Sequence, residues 1–386
     1  MAKKGKKITV KESGAWRNGT DGNDTITVTA KEEASVFGNK GNDAITVKRG
    51  THHKICGDDY GESYYYSTYS GKDTITLAGG SENKVWGGKG ADKIYVKKGA
   101  GFSTICGCEG NDTITVYKGA RAGKESDYAN IDGGTGKDTI TVNGGSQTTK
   151  KYYSIDGDDG NDKITVTGGR YYEINGGSGK DIIKVKNARD FVINQSNSSG
   201  KDTITITGGR NGSVCADDKS KVTINRGNGH RVCGWDKGGN IVINGGSNIE
   251  ICDSSLADDS NDVITVNGGS GTIGMGEGID TIKIDFKNAA KVRNWDISVS
   301  HLTNNRLTVL GASSTEFTFE RKWTELGPSY ILDDRWIMTN NSTGAAITLS
   351  GWYSDWTETF SIYFKKDNVL VTSVPAKAEV DRLNLH

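Results

Sequence analysis

The sequence predicts an all-β chain: short strands wound into coils, the coils stacked as two parallel sheets around a thin Ile/Val core, with a β-rich C-terminal cap. Three observations carry this. A glycine–aspartate turn recurs at a spacing near 19 residues. Each turn is followed by a four-residue segment that alternates polar and apolar residues. No segment before about residue 285 shows the 3.6-residue periodicity of a helix.

The turn is clearest at Gly87-Gly88-Lys89-Gly90-Ala91-Asp92-Lys93-Ile94-Tyr95. Its carboxylate recurs at Asp24, Asp43, Asp73, Asp92, Asp112, Asp138, Asp162, Asp181, Asp202, Asp262 and Asp280. Segments such as Thr25-Ile26-Thr27-Val28 and Thr139-Ile140-Thr141-Val142 follow these turns. Their period of two directs Ile and Val inward and Thr outward, the pattern of a half-buried strand. A second turn, often Asn/Thr-Gly-Gly as at Asn143-Gly144-Gly145 and Thr207-Gly208-Gly209, leads to a second strand such as Tyr172-Glu173-Ile174-Asn175. One coil is therefore turn, strand, turn, strand. About thirteen coils at a strand spacing of ~4.8 Å are expected.

Departures from the period locate insertions and weak coils. The 30-residue interval from Asp43 to Asp73 carries Asp59–Tyr66, and insertions before Asp138 and Asp162 carry Tyr128 and Tyr152-Tyr153. Between Asp202 and Asp262 two coils are degenerate, at Ala216–Lys221 and Gly234–Asn240, so metal binding is expected to weaken or fail there. The organisation read from this is a tail over residues 1–17, the coiled stack over 18–285, and a cap over 286–386. The cap holds Trp295, Trp323, Trp336, Trp352 and Trp356 and would cover the open sheet end.

Glycine supplies 54 of 386 residues and proline only 2, so the glycines serve tight turns rather than a collagen-like or disordered chain. Lys plus Arg and Asp plus Glu both number 48, which gives no reason to expect nucleic acid or a membrane surface as partner. No stretch approaches the ~18 apolar residues of a membrane span, and no apolar segment follows the basic Met1–Lys7. Of the 6 cysteines, Cys56, Cys106, Cys215, Cys233 and Cys252 share one place, just before the turn. Stacking makes the last three vertical neighbours. Free thiols filling an outer ladder are the favoured reading, ahead of a disulfide between adjacent rungs; soft-metal binding is disfavoured, and Cys106-Gly107-Cys108 is too tight for a standard zinc knuckle.

The turns carry the chemistry. Calcium takes six to eight oxygen ligands, main-chain carbonyls included. Glycines can aim carbonyls inward while the Asp adds a carboxylate, and two successive coils can enclose one ion. The expected ligands are the aspartates above with Gly22, Gly41, Gly87, Gly90, Gly110, Gly133, Gly136, Gly160, Gly176 and Gly179, in a single column of calcium ions along one edge.

The motif resembles the repeats-in-toxin (hemolysin-type calcium-binding) family, whose nonapeptide is Gly-Gly-x-Gly-x-Asp-x-apolar-x. Gly133-Gly134-Thr135-Gly136-Lys137-Asp138-Thr139-Ile140 and Gly176-Gly177-Ser178-Gly179-Lys180-Asp181-Ile182-Ile183 match it closely, and Gly38–Asp43 and Gly157–Asp162 match with one glycine replaced. The resemblance covers residues 18–285. It implies a right-handed parallel β-roll, calcium-dependent folding, and type I secretion from a bacterium to the medium or cell surface without a cleaved N-terminal signal. Relatives often carry calcium turns on both edges; here one edge alone keeps the Asp. Ile347–Tyr353 is similar to the aromatic segments that follow such repeats.

No catalytic constellation stands out, so the expectation is a structural or adhesive protein and not an enzyme. His52-His53 reads as surface. A hidden enzyme site would have to use residues such as Asp333-Asp334 or Glu316 and Glu320. The alternative function is recognition of a glycan or surface protein through Tyr60, Tyr64-Tyr65-Tyr66 and Tyr69, joined by Tyr152-Tyr153 and Tyr171-Tyr172; self-assembly is a further possibility. Outward threonine ladders could match ice, but Lys93, Lys163, Ile182 and Val263 interrupt the lattice.

Overall fold

Strand accounts for 62% of the chain and helix for 3%, and parallel sheets wind into a β-solenoid of about 12 turns. The structure, a computed structural model, describes residues 4–59, 68–122, 128–144, 152–195, 200–216, 220–233, 239–252, 262–275, 280–299, 306–325, 332–353 and 361–372. The chain divides into two compact units, Met1–Asp202 and Thr203–His386.

In the first unit the strands that follow the Asp turns stack in parallel register. The stack runs from Lys7–Val10 through Thr25–Val28, Ala44–Val47, Thr74–Leu77, Lys93–Val96, Thr113–Val116, Thr139–Asn143 and Lys163–Thr167 to Ile182–Lys186. The second strands form their own stack, from Trp16–Asn18 to Arg189–Asn194. The first coil thus starts at Lys7, inside the segment read from sequence as a tail.

The period-two reading sets the core. Ile26, Ile45, Ile75, Ile94, Ile114, Ile140, Ile164 and Ile183 lie in register and are buried, as are the residues two positions on, Val28 to Val185. Across from them Val36, Ile55, Val85, Ile105, Ile131, Ile155, Ile174 and Ile193 form the facing column. Each such side chain contributes roughly 1.5–3 kcal/mol of burial. A one-residue slip would expose a whole column, so the pattern also enforces the register.

A further inward column begins each second strand, and here the structure corrects the sequence reading. Tyr153 and Tyr172 are buried and in register with each other and with Phe191, their rings 5.7 Å apart, and Phe102 lies 5.9 Å from Tyr153. Buried against one another, Tyr153 and Tyr172 are not free to present a recognition face. Tyr60 and Tyr64–Tyr66 lie outside the described residues, as do the side chains of Tyr128 and Tyr152. Tyr69 carries the Lys40 ammonium over its ring at 4.4 Å.

The second unit repeats the plan through Lys221–Asn228, Asn240–Ile243, Val263–Val266 and Thr281–Asp285. Parallel stacking continues past residue 286: Val292–Val299 lies on Gly269–Met275, and Arg306–Leu310 on Thr281–Asp285. Ala346–Tyr353 and Ser361–Phe364 extend both stacks again. Among the described residues antiparallel pairing joins Phe317–Glu325 to Leu332–Asn340, Leu332–Asn340 to Ala346–Tyr353, and Ser361–Phe364 to Val369–Thr372. Trp295 and Trp336 are buried in this part.

Cys215, Cys233 and Cys252 are vertical neighbours, as their spacing implies, but Cys233 and Cys252 are joined as a disulfide while Cys215 is free. The favoured free-thiol reading therefore fails for this pair: in-register parallel rungs bring their Cα atoms to 4.9 Å, inside the range a disulfide spans. The threonine lattice is interrupted as expected, with Lys93 beside Thr113 and Lys163 beside Ile182.

Candidate metal column

The repeated aspartates are not surface caps. Asp43, Asp73, Asp92, Asp112, Asp138 and Asp162 are only 1–2% exposed, and Asp24, Asp181, Asp202, Asp262 and Asp280 are buried too. Each sits between the glycine turn and the first strand, where the chain bends inward and carries the side chain beneath the turn. There the carboxylates form a ladder. The backbone N–H of Asp24 donates to Asp43 Oδ1 at 2.6 Å, that of Asp43 to Asp73 Oδ1 at 2.7 Å, and that of Asp73 to Asp92 Oδ1 at 2.7 Å. The same bond links Asp92 to Asp112, Asp112 to Asp138, Asp138 to Asp162, Asp162 to Asp181 and Asp181 to Asp202, at 2.6–2.8 Å. Lys6 donates its N–H to Asp24 at the first rung. In the second unit the N–H of Gly239 donates to Asp262 and that of Asp262 to Asp280.

The other oxygen is the chemically informative one. Oδ2 of Asp43, Asp73, Asp92, Asp112, Asp138 and Asp162 is buried without a hydrogen-bond partner. It looks toward the first glycine of its own turn and the carbonyl of the equivalent glycine one coil on. A Cβ at Gly87 would lie 2.6 Å from Asp92 Oδ2 and 2.5 Å from the Gly107 carbonyl oxygen; one at Gly133 would lie 2.7 Å from Asp138 Oδ2 and 2.6 Å from the Gly157 carbonyl oxygen. Glycine here makes room for both oxygens, and no hydrogen-bond donor reaches the Oδ2. An orphaned buried acceptor costs about 1–3 kcal/mol, more when charged. A proton, a cation or a bound water would relieve that arrangement.

The carboxyl acidities follow from this. Burial first, then neighbouring carboxylates for most of them, opposed by the backbone N–H bond, raise Asp73 to about 9, Asp138 to about 8, Asp43 and Asp112 to about 7, and Asp92 and Asp162 to about 6.

The fourth glycines serve a different purpose. Gly41, Gly90, Gly110, Gly136, Gly160 and Gly179 all have positive φ, and a Cβ at Gly90 would run into the Gly71 carbonyl of the preceding coil. They permit close stacking of turns rather than lining the Oδ2 pocket. Gly87, Gly133 and Gly176 do line it, together with Gly38, Gly57, Gly107 and Gly157, which belong to the same column. Gly22 lies in the first of these turns and is buried. The signal for Gly57 and Gly107 was present as Ile-Cys-Gly, a strand end running straight into the turn.

The column has a defined end in the first unit. At Gly176 the space beside Asp181 Oδ2 is shared with Gln195 Nε2, and Gln195 Oε1 accepts the Gly176 N–H at 2.9 Å. A buried amide donor stands where other coils present a carbonyl, and no sequence motif announces it. In the two degenerate coils Ser220 and Gly239 stand directly before the strands Lys221–Asn228 and Asn240–Ile243, where other coils carry the aspartate, while Asp217–Lys219 and Gly234–Gly238 lie outside the described residues.

Among the described residues no three His, Cys, Asp or Glu side chains converge on one point. Beside each of Gly38, Gly57, Gly87, Gly107, Gly133 and Gly157 the structure places one carboxylate oxygen and one glycine carbonyl. The residues present fit a hard, oxygen-preferring cation.

The opposite edge is held by histidine: His52 is exposed, as the surface reading has it, but His53 is not. His53 is buried; its Nδ1 accepts the Ala34 N–H at 3.0 Å, and its Nε2 lies 3.1 Å from the Arg49 carbonyl. His230 repeats this, with Gly212 N–H at 3.1 Å and the Gly208 carbonyl at 3.2 Å. Both rings thus serve as neutral Nε2–H tautomers bridging two coils, and burial lowers both pKa values. Glu316 is engaged by the Ser313 N–H at 3.0 Å and Lys366 at 2.7 Å, a local brace for its turn. The side chains of Asp333 and Asp334 lie outside the described residues.

No family model and no curated protein matches this chain. No helix among the described residues is long and apolar enough to cross a membrane.

Proposed function

We propose that the protein is a calcium-binding β-roll of the repeats-in-toxin type, folded by calcium and serving a structural or adhesive, non-enzymatic role outside a bacterial cell after type I secretion. The observation that carries the reading is the paired row of oxygens. Oδ2 of Asp43, Asp73, Asp92, Asp112, Asp138 and Asp162 lies beside a glycine carbonyl, whereas Thr20 donates to Asp24 Oδ2 at the first rung and the Gln195 amide stands beside Asp181. Calcium would supply the positive charge that every internal rung lacks. The chain's own residues hold the carboxylates in place through the Oδ1 ladder and exclude water. Asp43, Asp73, Asp92, Asp112, Asp138 and Asp162 would be the carboxylate ligands, with carbonyls of the first-glycine column completing the shell.

Any ion that binds only the folded state stabilises it by RT ln(1 + [L]/Kd), about 2.7 kcal/mol per site at a hundredfold excess over Kd. The test is thermal unfolding followed by circular dichroism in chelator and in millimolar calcium, paired with calorimetric titration. A rise in Tm with heat of binding at several sites supports the reading; identical melting curves overturn it. Fractionation of a producing culture into medium, surface and cytosol tests the proposed location.

A further inference from the structure

Cys108 stands where the chain has little reason to place a cysteine. It takes the second-glycine position of its turn, in register with Gly88. Gly88, Cys108, Gly134, Asp158 and Gly177, the residues at this position in successive coils, all have positive φ, from 65° to 106°. Glycine adopts that conformation freely and Asp or Asn tolerates it, whereas Cys is disfavoured there. Strain held at one rung of an otherwise permissive column points to a use for the side chain itself.

The thiol has an immediate neighbour. Cys108 Sγ lies 2.9 Å from Cys106 Sγ, across Gly107, and both residues are buried in an apolar cluster with Phe37, Cys56 and Trp86. Two thiolates on one tetrahedral zinc at ~2.3 Å would stand roughly 3.8 Å apart, so the pair is too close to share a metal. It is within reach of a sulfur–sulfur bond of ~2.05 Å.

We propose that Cys106 and Cys108 are a covalent modification site: they close a disulfide around Gly107 as this coil folds, with a small-molecule disulfide as the oxidant. One cysteine thiolate attacks the disulfide RSSR, forming a mixed disulfide and releasing RS⁻, which takes up the proton the cysteine lost. The second cysteine then displaces the remaining RS⁻ and its proton follows. The net change is two protein thiols plus RSSR giving one protein disulfide plus two RSH, a balanced two-electron exchange. Once the coil has formed, the hydrogen bond with Cys108 and burial hold the Cys106 thiol protonated, and both sulfurs are shut away from an oxidant, so the exchange belongs to the folding coil and not to the finished one. The ring so formed encloses Gly107, the residue that makes room for Asp112 Oδ2. The proposal stands on the sulfur geometry alone and does not require that the column hold calcium.

The experiment refolds the full chain in excess oxidised glutathione, blocks free thiols with iodoacetamide in denaturant, and maps peptides by mass spectrometry without reduction. The Cys106/Cys108 peptide is expected to be lighter by two hydrogens, unalkylated, and to gain two labels only after reduction. Free thiols, glutathione adducts, or a link from either cysteine to Cys56 or any other residue would overturn the proposal. In the Cys56→Ser variant the internal bond should persist. In Cys108→Gly, which restores the residue found at Gly88 and Gly134, Cys106 should become fully alkylated.

Discussion

At the scale of single residues, the two oxygens of each ladder aspartate have separate tasks, and one substitution can separate them. An Asn at Asp92 and Asp112 keeps Oδ1 as acceptor for the neighbouring N–H and turns an NH2 donor toward the glycine carbonyl. The double variant Asp92→Asn/Asp112→Asn is therefore expected to be more stable than the parent in chelator, by about 1 kcal/mol per site. It should gain less from calcium, with a higher calcium midpoint; denaturant melts with and without the ion measure both. His53 offers a companion case. Its backbone N–H donates to Asn83 Oδ1 at 3.1 Å, so the neighbouring rung places an amide at the matching point of the coil. His53→Asn should cost less than His53→Leu, which would orphan the Ala34 N–H, by about 1–3 kcal/mol in chemical denaturation.

At the scale of the coil, two features hold a turn to its neighbours. The first glycine is obligatory wherever its Cβ would meet both Oδ2 and the next carbonyl. Gly87→Ala is expected to destabilise by about 2 kcal/mol or more and to disturb the rungs of Asp92 and Asp112 together. A substitution at Gly99, where a Cβ meets nothing, should cost mainly the positive-φ strain of about 1–2 kcal/mol. Comparing the two Tm values checks the assignment. The Cys233–Cys252 disulfide closes a loop of sequence separation 19, so reduction should lower stability by up to about 3 kcal/mol. Calorimetry with and without reductant reads that difference.

At the scale of the whole molecule, acid and calcium act on the same column with opposite demands. Asp43, Asp73, Asp92, Asp112, Asp138 and Asp162 titrate in the folded chain between about 6 and 9, above the ordinary aspartate value of 3.8. Their folded pKa values are raised, so their contribution is fully present below about pH 4 and is lost as pH rises through 6 to 9. His53 and His230 have lowered folded pKa values. Their contribution is present above the ordinary histidine value of 6.5 and is lost as pH falls through the folded values. In chelator, Tm should therefore fall between pH 6.5 and pH 9; calcium should abolish that fall, because it replaces the proton on the ionised rungs. A flat chelator profile over this range would contradict the buried ladder.

The coil period, the two strand series and the inward Ile and Val were legible from the sequence, because each follows from a local rule repeated many times over. Asp43 to Asp162 were legible as turn residues for the same reason. Their burial was not, since a turn aspartate on the surface has the same motif. The inward Tyr153 and Tyr172, the plugs at His53 and His230, and the stop at Gln195 each depend on what lies one coil above and below. Residues about 19 positions away in sequence become contacts only after the register is set. Sequence by itself determined that this chain winds and where its aspartates recur, because periodic hydrophobicity admits one stacking register. Tertiary structure alone decided which oxygen of each aspartate is satisfied and which is left facing a carbonyl, because that depends on the donor or acceptor carried by the next rung.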